Sequence, residues 1–499
     1  MSDRPLAVRA PTILRGAALL GAALLGGCTL GPDFSSPPPP RDAAYLPPGQ
    51  HGSAGQAGVA DPQAVALGRQ LRGDWWVLFR SPELDRVVAE AVAGNRNLAA
   101  ARASLGQAVQ EAAAAGGALF PQIDATAQAD RERINLAAYG IPGPASVFNL
   151  YQIGPTVTYA LDLFGKNRRR IEEAEALAAD QGYQLDAAYL SLTGNVVGQA
   201  VAIAALRAQI RATEEIVTDD EQNLGLVQAA KAAGSATQVD VLHAETQLAG
   251  DRTLLPPLRQ RLGVARHALA VLAGRTPAQW SPPEFDLDGF RLPRDLPVSL
   301  PSRLVRQRPD ILAAEAQLHA ASAAVGVATA SRYPDITLTA DFLQQATYPG
   351  HLWQDAASSV TAGGGLTAPL FHGGTLAAQQ RAAEAAYRAA DARYQQTVLA
   401  AFAQVADLLQ ALTHDAEESA AQDKAMTAAA ESLRLTRFSY TAGNVGVLQV
   451  LDAQRQYQQA RLGSVRARAQ RYLDTAQLFL AMGGGRSAWE GRSGGAPPR

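Results

Sequence analysis

Few residues in this chain could do covalent or metal chemistry. One cysteine stands at position 28, and seven histidines are scattered without the spacing of a metal site. No His-Glu-x-x-His and no Gly-x-x-x-x-Gly-Lys phosphate cradle occurs, and the one Gly-x-Ser-x-Gly string, Gly491–Gly495, lies in the Gly-rich C-terminal tail rather than between a strand and a helix, so no common hydrolytic or nucleotide-driven enzyme is expected. Gly363-Gly364-Gly365 falls in an alternating strand pattern, where small residues ease close packing. Leu448 and Asp452 are four apart and share a helical face, and Arg455 lies three beyond Asp452, within pairing distance. Taken alone, an exposed Asp452–Arg455 pair is an ordinary helix-face contact worth under ~1 kcal/mol.

Cys28 carries a clearer signal. Arg4, Arg9 and Arg15 precede the apolar run Gly16–Gly27, which is shorter than the ~20 residues a spanning helix needs. Residues 1–27 therefore read as a secretory signal peptide. Leu25-Gly26-Gly27-Cys28 resembles a bacterial lipobox. That resemblance implies that Cys28 becomes the first mature residue and carries diacylglycerol and an N-acyl chain. Thr29, in place of Asp, then implies sorting to the outer membrane. No other cofactor and no metal is expected.

The elements that must position these residues are mostly helices. The net charge of −2 and the absence of a basic stripe with interleaved aromatics argue against nucleic-acid binding. Residues 28–81 form a lipidated tether, rich in Pro, Gly and Ser from Gly31 to about Arg69, and an equatorial segment in which Trp75, Trp76 and Phe79 read as anchors into a packed surface. A first repeat follows over 82–275, a Pro-rich linker over 276–299, a second repeat over 300–483 and a disordered tail over 484–499. Each repeat opens with a helix, about Pro82–Ala118 in the first and from about Ser302 to Arg332 in the second. Each then carries two strands of strict alternation, about 121–130 and 151–162, and 335–343 and 359–370. Each finally carries a long helical hairpin turning at about 233–237 or 442–447. Ala233, Gly234, Val241, Leu242, Ala244 and Gln247 recur 209 positions later as Ala442, Gly443, Val450, Leu451, Ala453 and Gln456 (442 against 233). Pro256-Pro257 predicts a break in the returning helix of the first repeat.

The strands bear one apolar face and one face of Thr, Asp and Gln. Strands of about ten residues suit a tilted crossing of a bilayer. Four strands cannot close a barrel, and open edges are excluded from lipid, so membrane strands here require an oligomer. Two, three or four copies would give 8, 12 or 16 strands.

At this point the chain resembles the TolC/OprM-type outer-membrane channels of tripartite efflux pumps, in their lipidated, NodT-like branch. The likeness rests on Leu300-Pro301-Ser302, Arg308-Pro309-Asp310-Ile311, Ala313–Leu318, Leu161–Gly165 and Val450–Arg455 in order, and covers Cys28 to Gly485. It implies a mainly α fold with membrane β: a homotrimer whose 12-stranded β-barrel in the outer membrane continues into a 12-helix α-barrel. It implies a passive duct fed by an inner-membrane transporter, of the RND type, through a periplasmic adaptor protein, with outer-membrane lipid around the barrel. Carried over by position, Tyr440, Leu448, Asp452 and Arg455 would close the inner mouth, with Asp240 of the first repeat at the place of Gln449. His243 replaces Asp452 in that first copy, so the second copy is the expected latch. The turns at Gly234, Gly443, Asn444 and Gly446 would meet the adaptor. Two other functions compete. A type I protein-secretion channel keeps the fold. A structural periplasmic coiled-coil lipoprotein explains Cys28 and the helices but leaves the alternating strands without a purpose.

Overall fold

A computed structural model describes residues 29–47, 62–135, 140, 142 and 144–483. Cys28, the signal segment and the tail after Gly483 lie outside the described residues. The elements in chain order are β1 (Ala64–Leu67), α1 (Pro82–Gly94), α2 (Arg96–Gly116), β2 (Gln122–Ile134), β3 (Ser146–Leu161), α3 (Lys166–Ala232), α4 (Gln238–Arg252), α5 (Leu255–Leu272), β4 (Asp295–Val298), α6 (Pro301–Leu304), α7 (Pro309–Ala330), β5 (Asp335–Ala346), β6 (Ser358–Thr367), α8 (Thr375–Thr441) and α9 (Val447–Ala481). They fall into two compact units. One gathers the residues up to Ser36, Leu105–Asp180 and Ala314–Tyr394, and the other Pro37–Ser104, Gln181–Ala313 and the chain from Gln395 onward.

The first unit holds a four-stranded antiparallel sheet in the order β2-β3-β5-β6. Its register sorts side chains by polarity across all four strands. Ile123 faces Val157, Val157 faces Ala340 and Ala340 faces Ala362; one residue along, Asp124, Thr156, Asp341 and Thr361 form the next row. Because strand side chains alternate with period two, one face is apolar and the other polar through the middle of the sheet; towards the β2–β3 connection the sorting lapses, with Arg131 and Arg133 on the first face and Phe148 and Leu150 on the second. Ile123, Val360 and Leu366 are 71%, 74% and 65% exposed, so the apolar face covers no core of its own chain. At Gly154-Pro155 the ladder is interrupted: an added Cβ at Gly154 would stand 2.0 Å from the Phe342 carbonyl oxygen, and proline brings no N–H.

The second unit has the main apolar core. Trp75, Phe79, Phe290, Tyr472 and Phe479 are at most 2% exposed and pack tilted or edge-to-face. The aromatic triplet thus anchors in the way its composition suggests. Tyr472 Oη donates to the Phe290 carbonyl at 2.9 Å, which satisfies the buried hydroxyl. The expected helix over Pro82–Ala118 is two helices, a correction that Asn95 explains. Asn95 takes an extended backbone, its Oδ1 accepts from Leu98 N at 2.9 Å to cap α2, and its Nδ2 donates to the Leu272 carbonyl at 2.9 Å. The break expected at Pro256-Pro257 falls just before them, at Thr253-Leu254.

The helical hairpins repeat with close fidelity. Both α3 and α8 have 67 residues, and they begin and end 209 positions apart (375 against 166, 441 against 232). The returning chain starts at Gln238 and Val447, again 209 apart, and ends at Leu272 and Ala481.

Candidate functional site at the helical turns

Each turn is built the same way. Gly234 and Gly443 both sit at φ +79, where a Cβ is strained. Ser235 N donates to Ala230 O and Gly234 N to Lys231 O, each at 2.9 Å. Asn444 N to Ser439 O and Gly443 N to Tyr440 O repeat the pair at the same distances. These are Schellman closures of α3 and α8.

The next residues diverge. Thr237 caps α4: its hydroxyl accepts from Asp240 N at 3.3 Å, while the Asp240 carboxylate accepts from Thr237 N at 2.8 Å. The cap holds the Asp240 carboxyl below its usual range, through those hydrogen bonds from Thr237. Asp240, expected at the mouth, therefore has its carboxylate occupied within its own turn. In the second turn the capping position is Gly446, with no side chain to offer.

Behind the turns lies a small apolar cluster of Val227, Val241, Ala244, Val447 and Leu451, against which Tyr440 packs half-buried. On the outer face of α9, Leu448 is exposed and Asp452 pairs with Arg455, as the spacing predicts; Gln456 Nε2 also donates to Asp452 at 2.8 Å. The structure thus brings Asp452 and Arg455 together, leaves Leu448 beside them on the open face, and turns Tyr440 towards the cluster.

One feature had no sequence signal. Gln454, 1% exposed, donates to Asp220 Oδ1 at 2.7 Å and accepts from Asn223 and from Arg437, the latter at 3.2 Å. Arg437 also pairs with Asp219 at 3.4 Å. Burial, and then the hydrogen bond and charge of Asp251, push the Asp220 carboxyl up to about 8. Asp415 is likewise pushed up to about 8, by burial and by Asp474. At neutral pH the Asp220 and Asp415 carboxyls hold protons where ordinary carboxylates would be charged.

In the first unit, the residues directly after Cys28 are held tightly. Leu30 N donates to Phe164 O at 3.2 Å, and Arg169, 4% exposed, donates to Leu30 O at 3.1 Å and to Asp33 at 2.7 Å. Gly165, at φ +75, leaves room for Thr29, which an added Cβ would meet at 2.8 Å. The chain that follows Cys28 is therefore fixed beside the end of β3, where the apolar-faced sheet ends.

An apolar-faced sheet with two unpaired edges, joined in sequence to duplicated 67-residue helices, defines a protomer of a membrane channel. The chain belongs to the family described as outer membrane efflux protein, which it matches over residues 87–275 and 300–484. The pyoverdine export outer membrane protein OpmQ of Pseudomonas aeruginosa is 31% identical over 441 residues, 86% of this chain and 92% of that one. The toluene efflux pump outer membrane protein TtgC of Pseudomonas putida is 29% identical over 457 residues, 91% and 92% of the two chains. The solved outer-membrane channel OprN superposes with a TM-score of 0.84 at 27% identity, over 92% of this chain and 99% of that one. The fold is thus TolC-like, and the chain is an outer-membrane exit duct for efflux. It belongs to a family of channels rather than of enzymes.

Proposed function

We propose that three copies close a 12-stranded barrel, and that the duct passively conducts small molecules delivered by an inner-membrane transporter of the RND type through a periplasmic adaptor. The observation that carries this reading is the register of the sheet: one face is apolar across four strands, one is polar, and both edges are open. A sheet with such edges is stable in lipid only when copies pair edge to edge. Small molecules as cargo are supported by the export and efflux roles in the relatives' names. Cys28 carries the lipid anchor, a reading supported by the tight seating of Thr29–Asp33 beside the end of β3 and by a relative described as a probable outer membrane lipoprotein, SilC of Salmonella typhimurium.

The inner mouth is set by the second turn. Leu448 forms an apolar constriction, Asp452 and Arg455 a charged one that latches it, and Tyr440 braces the turn from behind. Asp240 stiffens the first turn. Gly234, Gly443, Asn444 and Gly446 present the adaptor-binding loops. Planar-bilayer recording tests this: Asp452→Ala with Arg455→Ala is expected to raise single-channel conductance above the wild-type value. Unchanged conductance removes the latch, and detergent extraction as a single chain removes the trimer.

A further inference from the structure

The second unit carries a cationic cleft. It has a volume of about 850 Å³ and is lined by Arg69, Arg72, Arg80, Arg291 and Arg294 against only Asp74 and Asp295. In a chain whose net charge is −2, this is a local excess of three positive charges. Two segments distant in sequence build it. Arg291 N donates to Phe79 O at 2.9 Å, and Ala64 N to Arg294 O at 2.7 Å, alongside the parallel pairing of β1 with β4.

Two of the arginines already show what they recognise. Arg72 grips Asp74 through two parallel hydrogen bonds of 2.9 Å, and Arg69 pairs with Asp295 at 3.2 Å. The side chains of Arg80, Arg291 and Arg294 have no hydrogen-bond or ion-pair partner among the described residues. Arg80 adds a second, independent observation. It is the one non-glycine residue at positive φ among the described residues (φ 54, ψ 39), closing the short helix Trp75–Phe79. Glycine would take that conformation without strain, yet the position holds an exposed guanidinium at the cleft. The cleft is also not purely polar. Leu71, Leu78, Leu292 and Pro293 line it between the charges. A bare phosphate has no use for such a surface, whereas a peptide with acidic and apolar side chains interleaved matches both parts.

We propose that this cleft is a docking site for an acidic peptide segment of a protein partner, gripped by Arg80, Arg291 and Arg294 as Arg72 grips Asp74. The test uses the full-length chain in detergent and a fluorescein-labelled hexapeptide alternating Glu and Leu, followed by anisotropy. The acidic peptide is expected to bind saturably and to weaken as salt is raised. It is expected to bind more tightly than inorganic polyphosphate or a hexapeptide alternating Lys and Leu. Arg80→Gly, Arg291→Gln and Arg294→Gln together should weaken it about ten-fold or more. Arg80→Gly alone should weaken it a few-fold while the melting temperature holds or rises, because the strain is gone. A merely structural Arg80 would not separate those two readouts. The proposal is overturned by absence of saturable binding, by affinity unchanged in the triple variant, or by polyphosphate competing at least as well as the peptide. Should the triple variant fail to assemble, Arg80→Gly with Arg294→Gln is judged by the same criteria.

Discussion

Helices α3 and α8 start and stop 209 positions apart and close with the same pair of hydrogen bonds, but the chain that returns from each is different. After α3 it begins with a threonine cap and breaks at Thr253-Leu254, ahead of Pro256 and Pro257. After α8 it begins at an uncapped glycine and runs unbroken for 35 residues. The first hairpin is capped at its entry and broken along its return; the second is uncapped at its entry and continuous along its return. The proposed latch residues Asp452 and Arg455 lie on the copy whose entry has no side-chain cap.

This contrast can be broken at matched positions. Gln454 and Glu245 are 209 apart, yet Gln454 is 1% exposed and Glu245 is exposed. Gln454→Leu leaves Asp220 and Asn223 without their partner and should cost about 2–4 kcal/mol in chemical unfolding. Glu245→Leu should stay within about 0.5 kcal/mol. Equal losses would mean that the two return helices are equivalent.

Alkali should have the next largest effect. The folded carboxyls of Asp220 and Asp415 lie at about 8, above the ordinary ~3.9 of an unfolded chain. Between those values the folded state holds protons that the unfolded state has released, so stability falls as pH rises and levels off above about 8. Melting temperature should drop between pH 6 and pH 8, and Asp220→Asn with Asp415→Asn should flatten the profile. A profile that is flat in the wild type contradicts the protonated network.

Smaller effects separate the turns themselves. Thr237→Ala should cost about 1 kcal/mol by removing the cap of α4. Gly446→Ser, which supplies a cap to α9, should gain only a few tenths of a kcal/mol. If the uncapped entry serves opening, that same substitution should lower the open probability of Asp452→Ala/Arg455→Ala channels. An unaltered open probability would detach the cap from the gate.

Much of this architecture was legible from local pattern. Period-two alternation at Ile123–Ala129 and Ile336–Phe342 marks strands whatever they pack against, and the recurrence of Ala233-Gly234 as Ala442-Gly443 marks the turns. What was hidden depends on contacts between distant residues. The pairing of β3 with β5, which merges two hairpins into one sheet, joins Tyr159 to Leu338 and has no local signature. Gln454 looks like any residue of a solvated helix face until Asp220 is brought to it. Asn95 did carry a signal, since Gly-Asn inside a helical pattern is a cap, but the surrounding alanines masked the break. Asp240 was placed at the inner mouth by resemblance, and its cap with Thr237 is a local contact that this placement did not bring out.

The free edges of β2 and β6 also bear on genetics. A barrel assembled from identical four-stranded pieces has no spare copy, so a chain that pairs on one edge and not on the other spoils each assembly it enters. A proline placed in β6, for instance at Val360, should therefore act as a dominant allele. In a cell making normal and altered chains equally, three-copy ducts free of the altered chain would fall to about one in eight by random mixing, well below half.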